Sequence, residues 1–188
     1  MKNFLFIFYL FLEKIGIQSA ASACYGADPI RYLRLKGAKI GERCRIYSRY
    51  LGSEPYLLSI GDHVSIGQGV QLITHDGAIW VLRELENKQT IERFAPIVIG
   101  NNVYIGNESL ILPGVCIGNN VIIGANSVVT KDLPSDGVYG GVPVRRLCAI
   151  ADYKAKHMHK FIDTKNMQPQ DKKNFIIRHL SCEIKEEK

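Results

Sequence analysis

An aliphatic residue recurs at every sixth position through the middle of the chain: Ile99, Ile105, Ile111, Ile117, Ile123 and Val129. Four positions after each stands Val103, Ser109, Val115, Val121, Ser127 or Leu133, small or aliphatic every time. Gly100, Gly106, Gly118 and Gly124 directly follow their aliphatic residues. An α-helix turns every 3.6 residues and would scatter positions six apart over different faces. A short strand and a tight turn per repeat instead turn both marked positions inward. The pairs Asn101-Asn102 and Asn119-Asn120 suit the turn conformations. Coils of this kind stack at the strand spacing of about 4.8 Å, so the body of the protein is expected to be a parallel β-helix.

The same period runs earlier, out of phase. Ile40 and Ile46 are six apart with Cys44 in the small inward slot, and Ile60, Ile66 and Leu72 form a second run. Between Ile46 and Ile60 the phase slips by two residues, around Gly52-Ser53-Glu54-Pro55. It slips again between Leu72 and Ile99, where residues 78–94 leave the period and read as an inserted loop with a helical turn. Trp80, the only tryptophan, stands near the start of that loop. Long loops on a regular scaffold are where function or disorder concentrates. The expected organisation is a helical segment over residues 1–38, the β-helix over 39–146, and a basic tail over 147–188 with a short helix at 174–180. The tail reads as a solvated face or loosely attached arm, with anion binding as the sharper alternative.

The formal net charge of +6 suits an anionic partner: nucleic acid, a membrane surface or a small molecule carrying phosphates. Basic residues are spread along the chain without an arginine-rich run, which argues against nucleic acid. The five cysteines are odd in number, far apart and without a CxxC pair, the pattern of a reducing compartment with neither a disulfide framework nor a zinc site. At the N-terminus an apolar run over residues 4–12 precedes Ala21-Ser22-Ala23 and resembles a short signal peptide. Glu13 and Lys14 follow the run directly, and nine apolar residues are too few to span a bilayer. A retained helix, packed on the body or lying on a membrane surface, accounts for the same pattern and is the preferred reading.

The stretch IGNNVYIGNESLILPGVCIGNNVIIGANSVVTKDLP, followed by GGVPVRRL, resembles the hexapeptide-repeat acyltransferases. Within them it is most similar to the branch of galactoside, maltose and capsular-polysaccharide O-acetyltransferases, over residues 37–146. The resemblance implies an all-β fold, a left-handed triangular β-helix with three hexapeptides to a coil. It also implies a homotrimer that holds acetyl-CoA between adjacent columns, a saccharide acceptor and a cytoplasmic setting. By the same resemblance His75 takes the catalytic position, at the end of an early coil just before a projecting loop. Tyr104, counted by the resemblance among the cofactor-binding positions, falls where relatives carry a large aromatic, commonly tryptophan; Asn107 and Ala125 correspond to positions lining the pantetheine arm. Thr130 and Lys131 match a pair near the nucleotide end of CoA, and Arg145 matches a basic residue after the Gly-x-Pro signature, here Gly141-Val142-Pro143. The asparagine that faces the acceptor sugar in some relatives has no clear match near Tyr47-Ser48.

The chemistry agrees with that assignment. In acetyl transfer from a thioester to a hydroxyl, the hydroxyl is the poor partner, and a neutral imidazole is suited to take its proton. His75 is the best candidate, although its local sequence alone reads equally well as a surface histidine at a coil corner. Asp76 is a candidate to orient the imidazole or bind an acceptor hydroxyl, and Trp80 to contact the acceptor. Lys131, Arg145 and Arg146 would meet the CoA phosphates. Only His63 joins His75 inside the column, as a turn residue on another face, so no metal is expected. Two alternatives stay open: an N-acetyltransferase acting on an amino sugar or nucleotide sugar, and a non-enzymatic β-helix assembly module.

Overall fold

A computed structural model describes residues 2–14, 18–48 and 51–186. The first coil of the column has strands β1 (Lys39–Ile40) and β2 (Arg45–Ile46), and its third side is irregular. The second carries β3 (Leu58–Ile60), β4 (Ser65–Ile66) and β5 (Gln71–Leu72), entered through a 3-10 turn at Pro55–Leu57. The third carries β6 (Ile97–Ile99), β7 (Val103–Ile105) and β8 (Leu110–Ile111). The fourth carries β9 (Cys116–Ile117), β10 (Val121–Ile123) and β11 (Val128–Val129). Parallel pairing builds one sheet in the order β1-β3-β6-β9, a second through β2-β4-β7-β10, and a third of β5-β8-β11. Ile99 lies against Ile117 and Val103 against Val121, a step of three hexapeptides. The result is a three-sided parallel β-helix.

The hexapeptide rule is visible in the core. Ile105, Ile111, Ile123 and Val129 are fully buried, and so are the small-slot residues Val103, Ser109, Val121 and Ser127. Burying a serine inside an apolar column demands hydrogen bonds. Ser127 Oγ donates to the Gly124 carbonyl at 2.7 Å, and Ser109 Oγ donates to the same carbonyl at 3.1 Å. At the corner between the first and second sheets the backbone enters the left-handed region at Arg43, His63, Asn102, Asn120 and Asp136, with φ between 53° and 60°. Asparagine and aspartate tolerate that region best among side-chain-bearing residues. Gly100 opens the same corner because a Cβ there would lie 2.8 Å from the Gly118 carbonyl carbon.

Before the column come α1 (Lys2–Lys14), α2 (Gln18–Ala27) and α3 (Pro29–Leu35). Asp28 caps α3 by accepting from the Arg31 N–H at 3.0 Å, and Pro29 opens the helix. Leu33 is buried against the first coil, and the Arg34 guanidinium donates to the Ile40 carbonyl at 2.8 Å. α1 packs on α2 through Phe6, which is buried, and exposes Phe4, Ile7, Phe8 and Phe11 on its other face. No described helix is long and apolar enough to cross a membrane.

After the fourth coil, β12 (Gly137–Gly140) joins the second sheet, and β13 (Arg145–Ala149) returns antiparallel to it. The sheet therefore continues past residue 146, the expected end of the β-helix. A reversed strand carries no hexapeptide signature. α5 (Ile150–His157) follows. The chain divides into two compact units, Met1–Tyr153 and Lys154–Lys188. In the second, α6 runs over Pro169–Glu186, well beyond the helix expected at 174–180. Ile176, Leu180 and Ile184 recur four residues apart in it, so the helical period extends past the expected end at Leu180.

Candidate active site

The third sheet ends, in each coil, at a corner leading back to the first sheet. In the third coil that corner is Leu112-Pro113-Gly114, with Gly114 at φ 85°. Strand pairing of the second and third coils ends at Leu72 against Ile111, with the Ile73 N–H donating to the Ile111 carbonyl, so Thr74 and His75 follow into the same corner one coil earlier. Thr74 still belongs to the column and is buried, but at His75 the chain leaves it. His75 and Phe94 form an isolated antiparallel bridge, and the Asp76 N–H donates to the Arg93 carbonyl at 2.9 Å. The excursion between them, residues 76–93, contains α4 (Ile79–Leu85) and is the loop anticipated at 78–94. Its neck is closed a second time by the Arg93–Asp76 ion pair at 2.8 Å.

His75 is held from an unexpected direction. Its Nδ1 lies 3.2 Å from Glu54 Oε2, one coil earlier, and the Thr74 hydroxyl donates to the same oxygen. Burial opposes the Glu54 charge, but hydrogen bonds from Thr74, His75 and Ser53 outweigh it and hold the carboxyl below the ordinary carboxylate range. Glu54 is mostly covered, whereas the imidazole is 48% exposed. That arrangement presents Nε2 to an incoming group. The Phe94 ring meets the imidazole edge-on at 6.4 Å.

Asp76, considered above as the residue orienting the imidazole, faces elsewhere. Its carboxylate accepts from Arg93 and from the Ala78 N–H, and these bonds hold its pKa below the usual aspartate value. The orienting contact belongs to Glu54. Its signal in the sequence was the phase slip at Gly52-Ser53-Glu54-Pro55, but the partner is 21 residues away and is met only when the coils stack. Beside His75 opens a cavity of about 280 Å³ lined by Glu54, Asp76, Trp80, Arg83 and Phe94 among others. Trp80 stands at its edge, 76% exposed.

The residues expected to hold a cofactor fall into separate places. Thr130 and Lys131 share the corner of His75, two coils on, an axial distance of about 10 Å. Lys131 and Arg146 line one cavity of about 490 Å³ at the end of the column; Arg145 is exposed and does not line it. Asn107 and Ala125 sit at the corner between the second and third sheets, where Asn107 Oδ1 accepts from the Gln68 N–H at 3.1 Å. Tyr104 points outward from the second sheet, between Ser65 and Ile122. Within one column Asn107 and Ala125 therefore stand at a different corner from His75. His63 is a turn residue whose Nδ1 lies 2.9 Å from Asn102 Oδ1. Among the described residues no three His, Cys, Asp or Glu side chains are grouped so as to hold a metal ion.

The bacterial transferase hexapeptide family (six repeats) matches residues 96–131. Protein CapG of Staphylococcus aureus is 45% identical over 153 residues, which cover 80% of this chain and 86% of that relative. The chain belongs to the hexapeptide-repeat acyltransferase family. It is also 42% identical over 106 residues to the galactoside O-acetyltransferase of Escherichia coli (strain K12), covering 56% of this chain and half of that enzyme. Among solved structures, a galactoside acetyltransferase in complex with coenzyme A aligns with a TM-score of 0.56 and 30% identity, over 73% of this chain and 74% of that one. In this acyltransferase the break in the column therefore lies beside a histidine already anchored by a carboxylate, within a fold shared with acetyl-transferring enzymes.

Proposed function

We propose that this acyltransferase moves the acetyl group of acetyl-CoA to a hydroxyl of a saccharide, a surface polysaccharide or its precursor, with His75 as general base. The observation that carries this reading is the His75 imidazole, anchored at Nδ1 by Glu54 and open at Nε2 beside the loop cavity. Nε2 takes the proton as the hydroxyl oxygen attacks the thioester carbonyl carbon. The C–O bond forms, the tetrahedral oxyanion collapses, the C–S bond breaks, and the imidazolium returns its proton to the departing thiolate. Glu54 keeps the ring in one orientation and favours the transient imidazolium. No covalent intermediate on the protein is needed.

The cavity holding Lys131 and Arg146 offers two cations to the CoA phosphates, on the same corner of the column as His75 in the case of Lys131. Asn107 and Ala125 occupy a different corner and would reach the same cofactor from a neighbouring copy, which supports a trimer of left-handed columns with its sites between subunits. The decisive experiment is a saccharide acceptor screen with labelled acetyl-CoA, run beside His75→Ala. Acetylated hydroxyls whose formation stops in the variant support the reading. Unchanged turnover in the variant, or acetylation of amino sugars but never of their hydroxy analogues, overturns it.

A further inference from the structure

Helix α1 has two unlike faces. One packs on the body of the protein. Phe6 is buried there, with the Arg31 guanidinium 4.4 Å from its ring centroid and the Cys24 thiol donating to its carbonyl at 3.6 Å. Glu13, two turns further along the same face, accepts from the Lys36 ammonium at 2.6 Å and from the Tyr32 hydroxyl at 3.3 Å. Those contacts fix the rotation of the helix about its axis. The other face carries Phe4, Ile7, Phe8 and Phe11, spaced i, i+3, i+4 and i+7 and between 46% and 75% exposed. That spacing makes one continuous apolar stripe. A stripe so rich in phenylalanine, held facing water, marks a contact surface.

Size and charge decide what covers it. The 13 residues of α1 make a helix about 20 Å long, against about 30 Å for the hydrocarbon core of a bilayer, so α1 can lie in a membrane surface but cannot cross it. A stripe about 10 Å wide on such a helix offers roughly 200 Å², far short of the about 800 Å² that each partner gives to a stable protein interface. A lipid surface demands neither that area nor a matched shape, because an amphipathic helix sinks its apolar face about 5–10 Å into the boundary between headgroups and acyl chains. Lys14 ends the stripe three residues beyond Phe11, exposed and without an ion-pair partner among the described residues. Glu13, the only carboxylate of α1, is turned to the body and neutralised by Lys36. The stripe therefore presents a cation and no anion, on a chain whose formal net charge is +6. An acidic lipid surface complements both features.

We propose that the exposed stripe of α1 docks the protein on a membrane surface bearing anionic phospholipid, with Phe4, Ile7, Phe8 and Phe11 in the interface and Lys14 at the headgroups. The test is co-sedimentation of the full chain with vesicles of phosphatidylcholine alone and of phosphatidylcholine with about one-third phosphatidylglycerol. The mixed vesicles are expected to bind several-fold more tightly than the neutral ones, and the difference should shrink as sodium chloride is raised. The triple variant F4Q/F8Q/F11Q is expected to weaken binding to the mixed vesicles at least about tenfold. Glutamine is a good helix former and the three replaced rings face solvent, so circular dichroism should match the parent protein. K14Q is expected to weaken binding to the mixed vesicles by about fivefold and to leave the neutral ones unaffected. The proposal is overturned if the parent stays in the supernatant with mixed vesicles, if it binds both kinds equally, or if the triple variant sediments as the parent does. A smaller assembly on size exclusion of the triple variant overturns it too, because a second copy would then cover the stripe. None of these readouts depends on acetyl transfer, so failure here leaves the assignment of His75 untouched.

Discussion

The corner after β8 and the corner after β5 begin from the same place in successive coils. Leu112-Pro113-Gly114 turns the third coil back into the first sheet, and the chain re-enters the core at Val115. In the second coil Thr74 and His75 replace the Pro-Gly turn, and the core is not regained until Ile97. The closed corner contributes only to the stack. The open one carries a titratable ring, a buried hydroxyl, a loop with an exposed tryptophan, and a cavity. Stacked coils above and below give the open corner its rigidity, since Ile73 N–H still donates to the Ile111 carbonyl at 2.9 Å. A site on so regular a scaffold costs one interrupted turn, and its groups inherit the precision of the column.

This contrast can be broken in stages. The largest effect is expected in the regular part. Ile123→Ala, at a fully buried position, should cost about 2–5 kcal/mol in urea denaturation, and a loss below about 1 kcal/mol would mean that the coils are not one cooperative core. His75→Ala should lower kcat by at least about 10²-fold, with coenzyme A affinity and melting temperature unchanged; a drop in thermal stability would make the residue structural instead. Glu54→Gln keeps an oxygen near Nδ1 but removes the charge, so kcat should fall by about tenfold. An unchanged kcat would show that the charge of Glu54 is not used in the reaction.

Stability against pH sharpens the same point. The Glu54 carboxyl is held below its ordinary value in the folded protein, so its contribution is present above the ordinary carboxylate pKa and is lost as the pH falls through the lowered value. Parent and Glu54→Gln proteins should converge in melting temperature at acid pH and diverge towards neutrality. Trp80→Ala is the smallest case. With its side chain mostly in solvent, folding stability should stay within about 0.5 kcal/mol, while the acceptor KM rises if the indole meets the saccharide.

Much of this molecule can be read from one dimension. The six-residue alternation of aliphatic, glycine and small residues specifies strand, turn and inward slot within each repeat, and every repeat asks the same thing of its neighbours. That is why the column, the place of the loop and the position of His75 at its start are legible without coordinates. The antiparallel β13 and the length of α6 are less so, because neither depends on the period that organises the rest. What only the tertiary structure decides is which residues meet across coils. Glu54 and His75 are 21 residues apart, and no local propensity links them. Asp76 is adjacent to His75 in sequence, yet its carboxylate is taken by Arg93 at the far side of the loop neck. Repeats encode local conformation, whereas stacking brings distant residues within hydrogen-bond reach, as it does Glu54 and His75.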